Sequence, residues 1–223
     1  MKCLVVLVFL IIASVKNSYG EERAYTIGYI NHPRIHTYYK PLIEEAYRRI
    51  GITPTFIEVG GERGLRLLND GFLDADIIRF ESVTRPFSNV LPIYPPLANG
   101  RVSLYCASDV PCNLGILRDP SITIAVRRRF KAQRRENKDI PDIYANLDGF
   151  EDIQKIRDLM TFKRYSYAIL PSDGSSDADF EAMGITTIAI STEQPAVHVI
   201  HKRNQHLSGA LFEALQTVIE ERG

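Results

Sequence analysis

From Ala24 onward the chain alternates short apolar runs typical of strands with longer runs that have helical periodicity. The first part contains "YTIGYI", "YKPLIEEAYRRIG", "TPTFIEV", "ERGLRLLNDG" and "DADIIRF". This order predicts strand, helix, strand, helix, strand, and Gly51 supplies a stop for the first helix. Such a series is typical of a parallel sheet with helical crossovers.

The same rhythm restarts after a passage that contains Pro86, Pro92, Pro95 and Pro96. Further strands are predicted at "SITIAV", at residues 142–147 ("DIYANL"), and at "YSYAILPS" and "TTIAIS", with helices at "FEDIQKIRDLMTF" and "DADFEAMG". The strand "AVHVIHK" and a helix over residues 204–223 complete the chain. With 223 residues, 45% of them hydrophobic, the protein can form one large domain or two small lobes.

Residues 1–20 have the features of a secretory signal peptide. Lys2 precedes an apolar run too short to span a bilayer, and small residues follow it near Gly20. An uncleaved anchor is the alternative. Residues 1–20 hold Lys2 and Lys16 and no acid, so the remaining chain has 25 basic and 27 acidic residues, a net charge of −2. This balance gives no indication of a nucleic-acid partner.

Export would leave two cysteines, Cys106 and Cys112, in the stretch "LYCASDVPCN". An oxidising compartment and a spacer rich in turn-forming residues favour a disulfide between them. A loop of this length stabilises the fold by roughly 2 kcal/mol in the chain-entropy model. The alternative is a cysteine nucleophile or half of a metal site, for which no histidine or further cysteine lies nearby in the sequence.

Two other patterns could indicate ligands. The run from Arg127 to Lys138 has seven basic residues and one acid, which is typical of a solvated helix face, although Arg127 begins where a strand ends. His32 and His36 have the spacing of two zinc ligands on a helix, but Pro33 lies between them and no third ligand follows. We therefore predict no metal site and no cofactor.

The stretch "LDADIIRFESVTR" concentrates charged residues at the end of a predicted strand. Asp74 and Asp76 alternate correctly for two carboxylates on one strand face, and Arg79 follows closely. A hard cation needs more oxygen ligands than this stretch offers. A pair of acids for acid–base chemistry stays open, although no nucleophile motif or glycine-rich phosphate loop accompanies it.

The order of these elements resembles the periplasmic solute-binding proteins of the extracellular family 3 type. In that family Asp-Ala on a strand is followed by Ser/Thr-x-x-Arg, and here Asp74-Ala75 is followed by Ser82-Val83-Thr84-Arg85. "RVSLYCA" is similar to the family's hinge strand, and "AVHVIHKRNQHLSGALFEALQTV" to its return strand and terminal helix. The resemblance covers residues 24–223.

The resemblance implies an α/β, two-lobed periplasmic-binding-protein-like fold (type II), in which each lobe is a sheet flanked by helices and two hinge strands join the lobes. After the signal peptide (1–20), residues 21–103 would form the first part of lobe 1, residues 104–192 lobe 2, and residues 193–223 the return strand and C-terminal helix of lobe 1. Ligand would lie between the lobes, at the carboxyl ends of strands.

Arg85 matches the family's arginine that clamps a ligand carboxylate, and Arg79 would project into the same cleft, unless it pairs with Asp74, Asp76 or Glu81. The family's aspartate for the ligand's ammonium group falls near Ser172-Asp173, and arginines replace the usual Gly-Thr pair at Arg127. Tyr29, His32 and Tyr38 would form an apolar wall. The candidate ligand-binding residues are Arg79, Arg85, Ser82, Glu81, Tyr29, His32, Tyr38, Arg127, Ser172 and Asp173.

These observations predict an exported, periplasmic, non-enzymatic protein that captures a small polar solute and delivers it to a membrane transporter permease or a sensor kinase. The solute would be anionic, a carboxylate or an amino-acid-like molecule. One alternative is a ligand-sensing co-receptor subunit. Another is a secreted dehydratase- or lyase-like enzyme on the same scaffold, with Asp76 or Glu81 as general base.

Overall fold

The computed structural model describes residues 24–128, 130 and 139–222. The predicted signal peptide, residues 1–20, and most of the basic run before Lys138 lie outside the described residues. Among the described residues, no helix has both the length and the apolar character needed to cross a membrane.

The first lobe is a sheet built mostly from the N-terminal third of the chain. Its elements are β1 (Tyr25–Tyr29), α1 (Lys40–Arg49) after a π-helical turn (Ile35–Tyr39), β2 (Pro54–Glu58), α2 (Gly61–Asn69), β3 (Ala75–Phe80) and the short α3 (Glu81–Thr84). Strand β1 pairs in parallel with β2 on one side and with β3 on the other. The predicted parallel sheet with helical crossovers is therefore confirmed for this part of the chain.

A single long strand, β4 (Val90–Cys106), runs through both lobes. Its first part, up to Gly100, pairs antiparallel with the return strand β9 (Gln194–His201), which in turn pairs with β3. Its second part, from Arg101, pairs with strands of the other lobe. The register with β9 shifts between Ile93 and Ala98, where Pro95 and Pro96 lack the N–H that a regular ladder requires.

The second lobe repeats the architecture of the first. Its elements are β5 (Thr123–Arg127), β6 (Asn146–Phe150), α4 (Ile153–Thr161), β7 (Tyr167–Ser172), α5 (Ser175–Ala182) and β8 (Thr186–Ala189). The strand order is β2-β1-β3-β9-β4 in the first lobe and, with β8 on β4, β6-β5-β7-β4-β8 in the second. Each lobe thus receives one antiparallel strand from a segment that crosses the hinge. The lobe boundaries 103/104 and 192/193 stay a prediction.

The strand predicted over residues 142–147 is placed too early. The backbone N–H groups of Tyr144 and Ala145 donate to the carbonyl oxygen of Leu117, in the 3-10 turn Leu114–Arg118, at 2.7 and 3.1 Å. This segment is tied to that turn, and pairing with β5 begins only at Asn146. The strand β6 therefore runs to Phe150, at the cleft end of the sheet.

Buried apolar side chains stabilise the interior of each lobe, at positions that the sequence pattern predicts. In α1, Leu42, Ile43, Ala46 and Tyr47 are fully buried against the first sheet and the C-terminal helix α6 (Ser208–Arg222), which follows the 3-10 turn Lys202–Leu207. The predicted disulfide between Cys106 and Cys112 is present.

Candidate functional site

A cleft of about 800 Å³ lies where the carboxyl ends of β1, β3, β5 and β7 face each other across the two lobes. This volume is within the range of cavities that hold small ligands. Of the predicted ligand-binding residues, the cleft wall contains His32, Arg79, Ser82, Arg85, Arg127, Ser172 and Asp173. Residues distant in sequence thus meet on one surface.

Arg79 is the buried cation of the first lobe. Its side chain is only 7% exposed, and Nη2 donates to Oδ2 of Asp76, which is 1% exposed. The Nε of Arg79 has no hydrogen-bond partner among the described residues, although it is fully removed from the protein surface. Arg79 thus pairs with Asp76 and also lines the cleft, while its part in ligand binding stays a prediction.

Arg127 is the cation of the second lobe, at the last position of β5. Burial and the positive charge of Arg79 lower its pKa, although the guanidinium stays protonated at neutral pH. Among the described residues, no carboxylate lies within 4 Å of it. The nearby acids have other roles, since Glu151 pairs with Arg128 at 2.9 Å and Asp152 caps α4.

Two glycines of α2 make room for both guanidinium groups. A Cβ added to Gly61 would lie 3.0 Å from Nη2 of Arg127, and a Cβ added to Gly64 would lie 2.9 Å from Nη2 of Arg79. Since residues three apart share a helix face, the two arginines rest on adjacent parts of one glycine surface. Arg127 therefore extends from the second lobe to the first.

The same surface is the N-terminal end of α2. Its N-cap residue, Gly60, provides no side chain to accept from the first backbone N–H groups. A helix N-terminus carries a partial positive charge and unpaired N–H donors. Sequence reasoning missed this feature, and the signal was present in "GGERG", where three glycines open a short helix.

His32 is a neutral hydrogen-bond donor at the cleft. Burial, helped by Arg157 and Arg127, lowers its pKa to about 4. The backbone N–H of Arg34 donates to Nδ1 of His32 at 3.1 Å, so the proton of the neutral ring is on Nε2. His32 thus adds a donor, and no charge, to the cleft.

Asp173 joins the lobes. The hydroxyl of Tyr39, in the first lobe, donates to Oδ2 of Asp173 at 2.5 Å, and Nε of Arg34 lies 3.7 Å from the same oxygen. The burial and charge around Tyr39 raise the pKa of its hydroxyl, which stays protonated. This contact closes one end of the cleft.

Ser172 and the two remaining cleft residues differ in accessibility. The hydroxyl of Ser172 donates to Oδ1 of the buried Asp177 at 2.6 Å and accepts from the N–H of Gly174 at 3.0 Å. Ser82 is partly buried in α3, while Arg85, at the end of that helix, is exposed at the cleft mouth. Between the two arginines that the sequence left open, Arg79 lies inside and Arg85 at the rim.

Three predicted residues are not brought to the cleft wall. Glu81 accepts from the hydroxyl of Tyr94 at 2.6 Å. Tyr29 packs edge-on against His36, with ring centroids 5.4 Å apart. Tyr38 stacks under the guanidinium of Arg34, whose Cζ lies 4.2 Å from the ring centroid. Their part in ligand binding stays a prediction. No cluster of three metal-ligating side chains occurs among the described residues.

No protein-family model and no curated protein matches the sequence. Solved structures do match. ArtJ, the arginine-, lysine-, histidine-binding protein of the thermophilic bacterium Geobacillus stearothermophilus, is 12% identical, with a TM-score of 0.65 over 89% of this chain and 90% of that chain. The GluR0 ligand-binding core in complex with L-glutamate is 13% identical, with a TM-score of 0.69 over 91% and 95% of the two chains.

A substrate-binding protein of an amino acid ABC transporter is 11% identical, with a TM-score of 0.68 over 89% of this chain and 94% of that chain. Identities this low carry information on the fold and not on the ligand. The chain therefore has the two-lobed, type II fold of the periplasmic solute-binding proteins.

Proposed function

We propose that this protein is an exported, non-enzymatic binding protein that captures a small anionic solute between its lobes. The observation that carries the proposal is the pair formed by Arg127 and Arg79 on the glycine surface of α2. Only Arg79 has a carboxylate partner among the described residues, so the pair holds one uncompensated positive charge.

Arg127 is half-buried, and a cation in such a place without a carboxylate partner among the described residues costs free energy that a bound anion would recover. The N-terminal end of α2 favours negative charge at the same place. An anion there would accept charge-assisted hydrogen bonds from groups of both lobes. Ligand binding would thereby favour the closed arrangement of the lobes.

The acids considered as general bases support binding over catalysis. Asp76 accepts from Arg79, and burial raises its pKa. Glu81 accepts from Tyr94 away from the cleft wall. Neither carboxylate faces a bound solute as a free base, which a lyase or dehydratase would need.

The partner we propose is a membrane transporter, with the protein in the periplasm. The structural neighbours include a substrate-binding protein of an amino acid ABC transporter, which supports this role. The predicted signal peptide supports export. A sensor kinase is the alternative recipient of the loaded protein.

A thermal-shift screen of the purified protein against small organic anions, cations and neutral solutes tests the proposal. A ligand at one hundred times its Kd should stabilise the fold by about 2.7 kcal/mol. We expect the stabilising solutes to be anions, and we expect Arg127→Met to abolish their effect.

The matched control is Arg118→Met, the same substitution at an exposed position outside the cleft. This variant should keep the full shift. Stabilisation by cationic solutes alone, or an anion effect that survives in Arg127→Met, would contradict the proposal. Chemical conversion of a stabilising solute, detected by mass spectrometry, would assign the protein to the enzymes.

A further inference from the structure

The cleft presents more hydrogen-bond donors than the described residues satisfy. Among the described residues, the buried Nε of Arg79 has no hydrogen-bond acceptor, and the buried Nε of Arg34 has Oδ2 of Asp173 at 3.7 Å, beyond hydrogen-bond distance. Both side chains line the cleft. Arg127 adds a guanidinium with no carboxylate within 4 Å among the described residues, and His32 adds its Nε2–H. A ligand that satisfies these groups must supply acceptors.

The carboxylates of the cleft already have partners. Three acids line it among the described residues: Glu62, Asp139 and Asp173. Glu62 pairs with Arg66 at 2.6 Å, and Asp139 accepts from the hydroxyl of Thr192 at 3.3 Å.

Asp173, the acid nearest the position expected for an ammonium receptor, accepts from Tyr39 and lies beside Arg34. An ammonium group in this cleft would have to share Asp173 with these partners. It would also lie in the field of several guanidinium groups, and like charges at short range repel. The arrangement is therefore unfavourable for a cationic substituent on the ligand.

Much of the remaining wall is apolar on both lobes. Ile30, Leu65, Ile78 and Val83 line it from the first lobe, and Ile153 and Ile169 from the second. Such a wall favours a hydrocarbon body, because removing apolar surface from water is favourable.

We propose that the solute is a carboxylate with an apolar body and without an α-ammonium group. This inference rests on the proposed function and specifies its ligand. The carboxylate binds Arg127, Arg79 and the N-terminal end of α2, while the hydrocarbon body lies against the aliphatic side chains of both lobes.

Isothermal titration calorimetry with matched pairs tests the inference. The probes are 3-phenylpropanoate against phenylalanine, and 4-methylpentanoate against leucine, which differ only by the α-ammonium group. A third probe, 3-phenylpropanamide, keeps the shape of 3-phenylpropanoate without its charge. We expect at least one ammonium-free acid to bind tenfold or more tightly than its amino acid and its amide, and to lose this binding in Arg127→Met.

The possible failures are distinguishable. If the amino acids bind as tightly as the ammonium-free acids, or more tightly, and depend on Arg127, the inference is wrong and the proposed function stands. If none of the carboxylates binds while an anion of another chemical class binds in an Arg127-dependent way, the inference is again wrong and the proposed function stands. If no anion binds to the wild-type protein, which folds and unfolds normally, both are wrong.

Discussion

Replacing Arg79 by Met removes one half of an ion pair whose other half cannot reach water. The side chain of Arg79 is 7% exposed and that of Asp76 is 1% exposed. Removing one partner of a buried pair leaves an uncompensated charge and costs about 3–5 kcal/mol. We expect Arg79→Met to lose this amount of unfolding free energy in urea at pH 7.5.

The double variant Asp76→Asn, Arg79→Met separates charge from packing. Because it leaves no unpaired charge, it should regain at least half of the loss. Burial already raises the pKa of Asp76, and removing Arg79 raises it further. A carboxyl whose pKa is raised in the folded state contributes stability at low pH that is lost as the pH rises. The difference in unfolding free energy between Arg79→Met and the wild-type protein should therefore shrink on acidification. A single-variant loss below about 1 kcal/mol, or a double variant no more stable than the single one, would show that the ion pair does not hold Asp76 in this way.

Two further predictions concern closure and pH. Tyr39→Phe removes the hydroxyl that donates to Asp173 at 2.5 Å, so it should weaken solute binding about tenfold or more. The radius of gyration of the variant, measured by X-ray scattering, should be larger than that of the wild-type protein. An unchanged affinity would contradict this prediction. His198 is fully buried between Tyr47 and the carbonyl of Ile77, and burial lowers its pKa to about 4. The unfolding free energy should therefore fall as the pH is lowered from 6.5 to 4, and His198 should account for roughly 2 kcal/mol of this fall at pH 5. The variant His198→Gln should show a shallower dependence of unfolding free energy on pH. The same dependence in the variant and the wild-type protein would contradict this prediction.

The sequence predicts most of the elements because the relevant signals are local. The apolar positions of α1 recur every three or four residues, and all four of its inward side chains, from Leu42 to Tyr47, are fully buried. The strand at β3 and the disulfide were likewise predicted from neighbouring residues. Periodicity and turn chemistry suffice where one element packs on one sheet.

The errors arise where distant contacts decide. The segment before β6 has strand-like composition, but the carbonyl of Leu117 takes the N–H groups of Tyr144 and Ala145. Prolines 95 and 96 argue against a regular strand, yet β4 passes through them with a shift in register. The local sequence pattern does not identify the distant segment that pairs with either stretch.

The candidate site was predicted only in part, because some of its contacts also join segments that are distant in sequence. The family resemblance indicated Arg79, and Arg127 was identified because it begins where a predicted strand ends and replaces the family's Gly-Thr or Gly-Ser pair. The glycines of α2 that receive them were missed, because Gly61 and Gly64 acquire their role only when the two lobes face each other. The pairing of Tyr39 with Asp173 depends on the same approach of the lobes.

The most direct test of the account is the unfolding free energy of Arg127→Met without ligand, in a buffer free of phosphate and carboxylates. If Arg127 is kept as an uncompensated cation for an anionic solute, its removal relieves a desolvation cost and its repulsion with Arg79. We therefore expect the variant to be as stable as the wild-type protein, or more stable. A loss of about 1 kcal/mol or more, the size of an ordinary stabilising interaction, would contradict it and assign Arg127 to the fold.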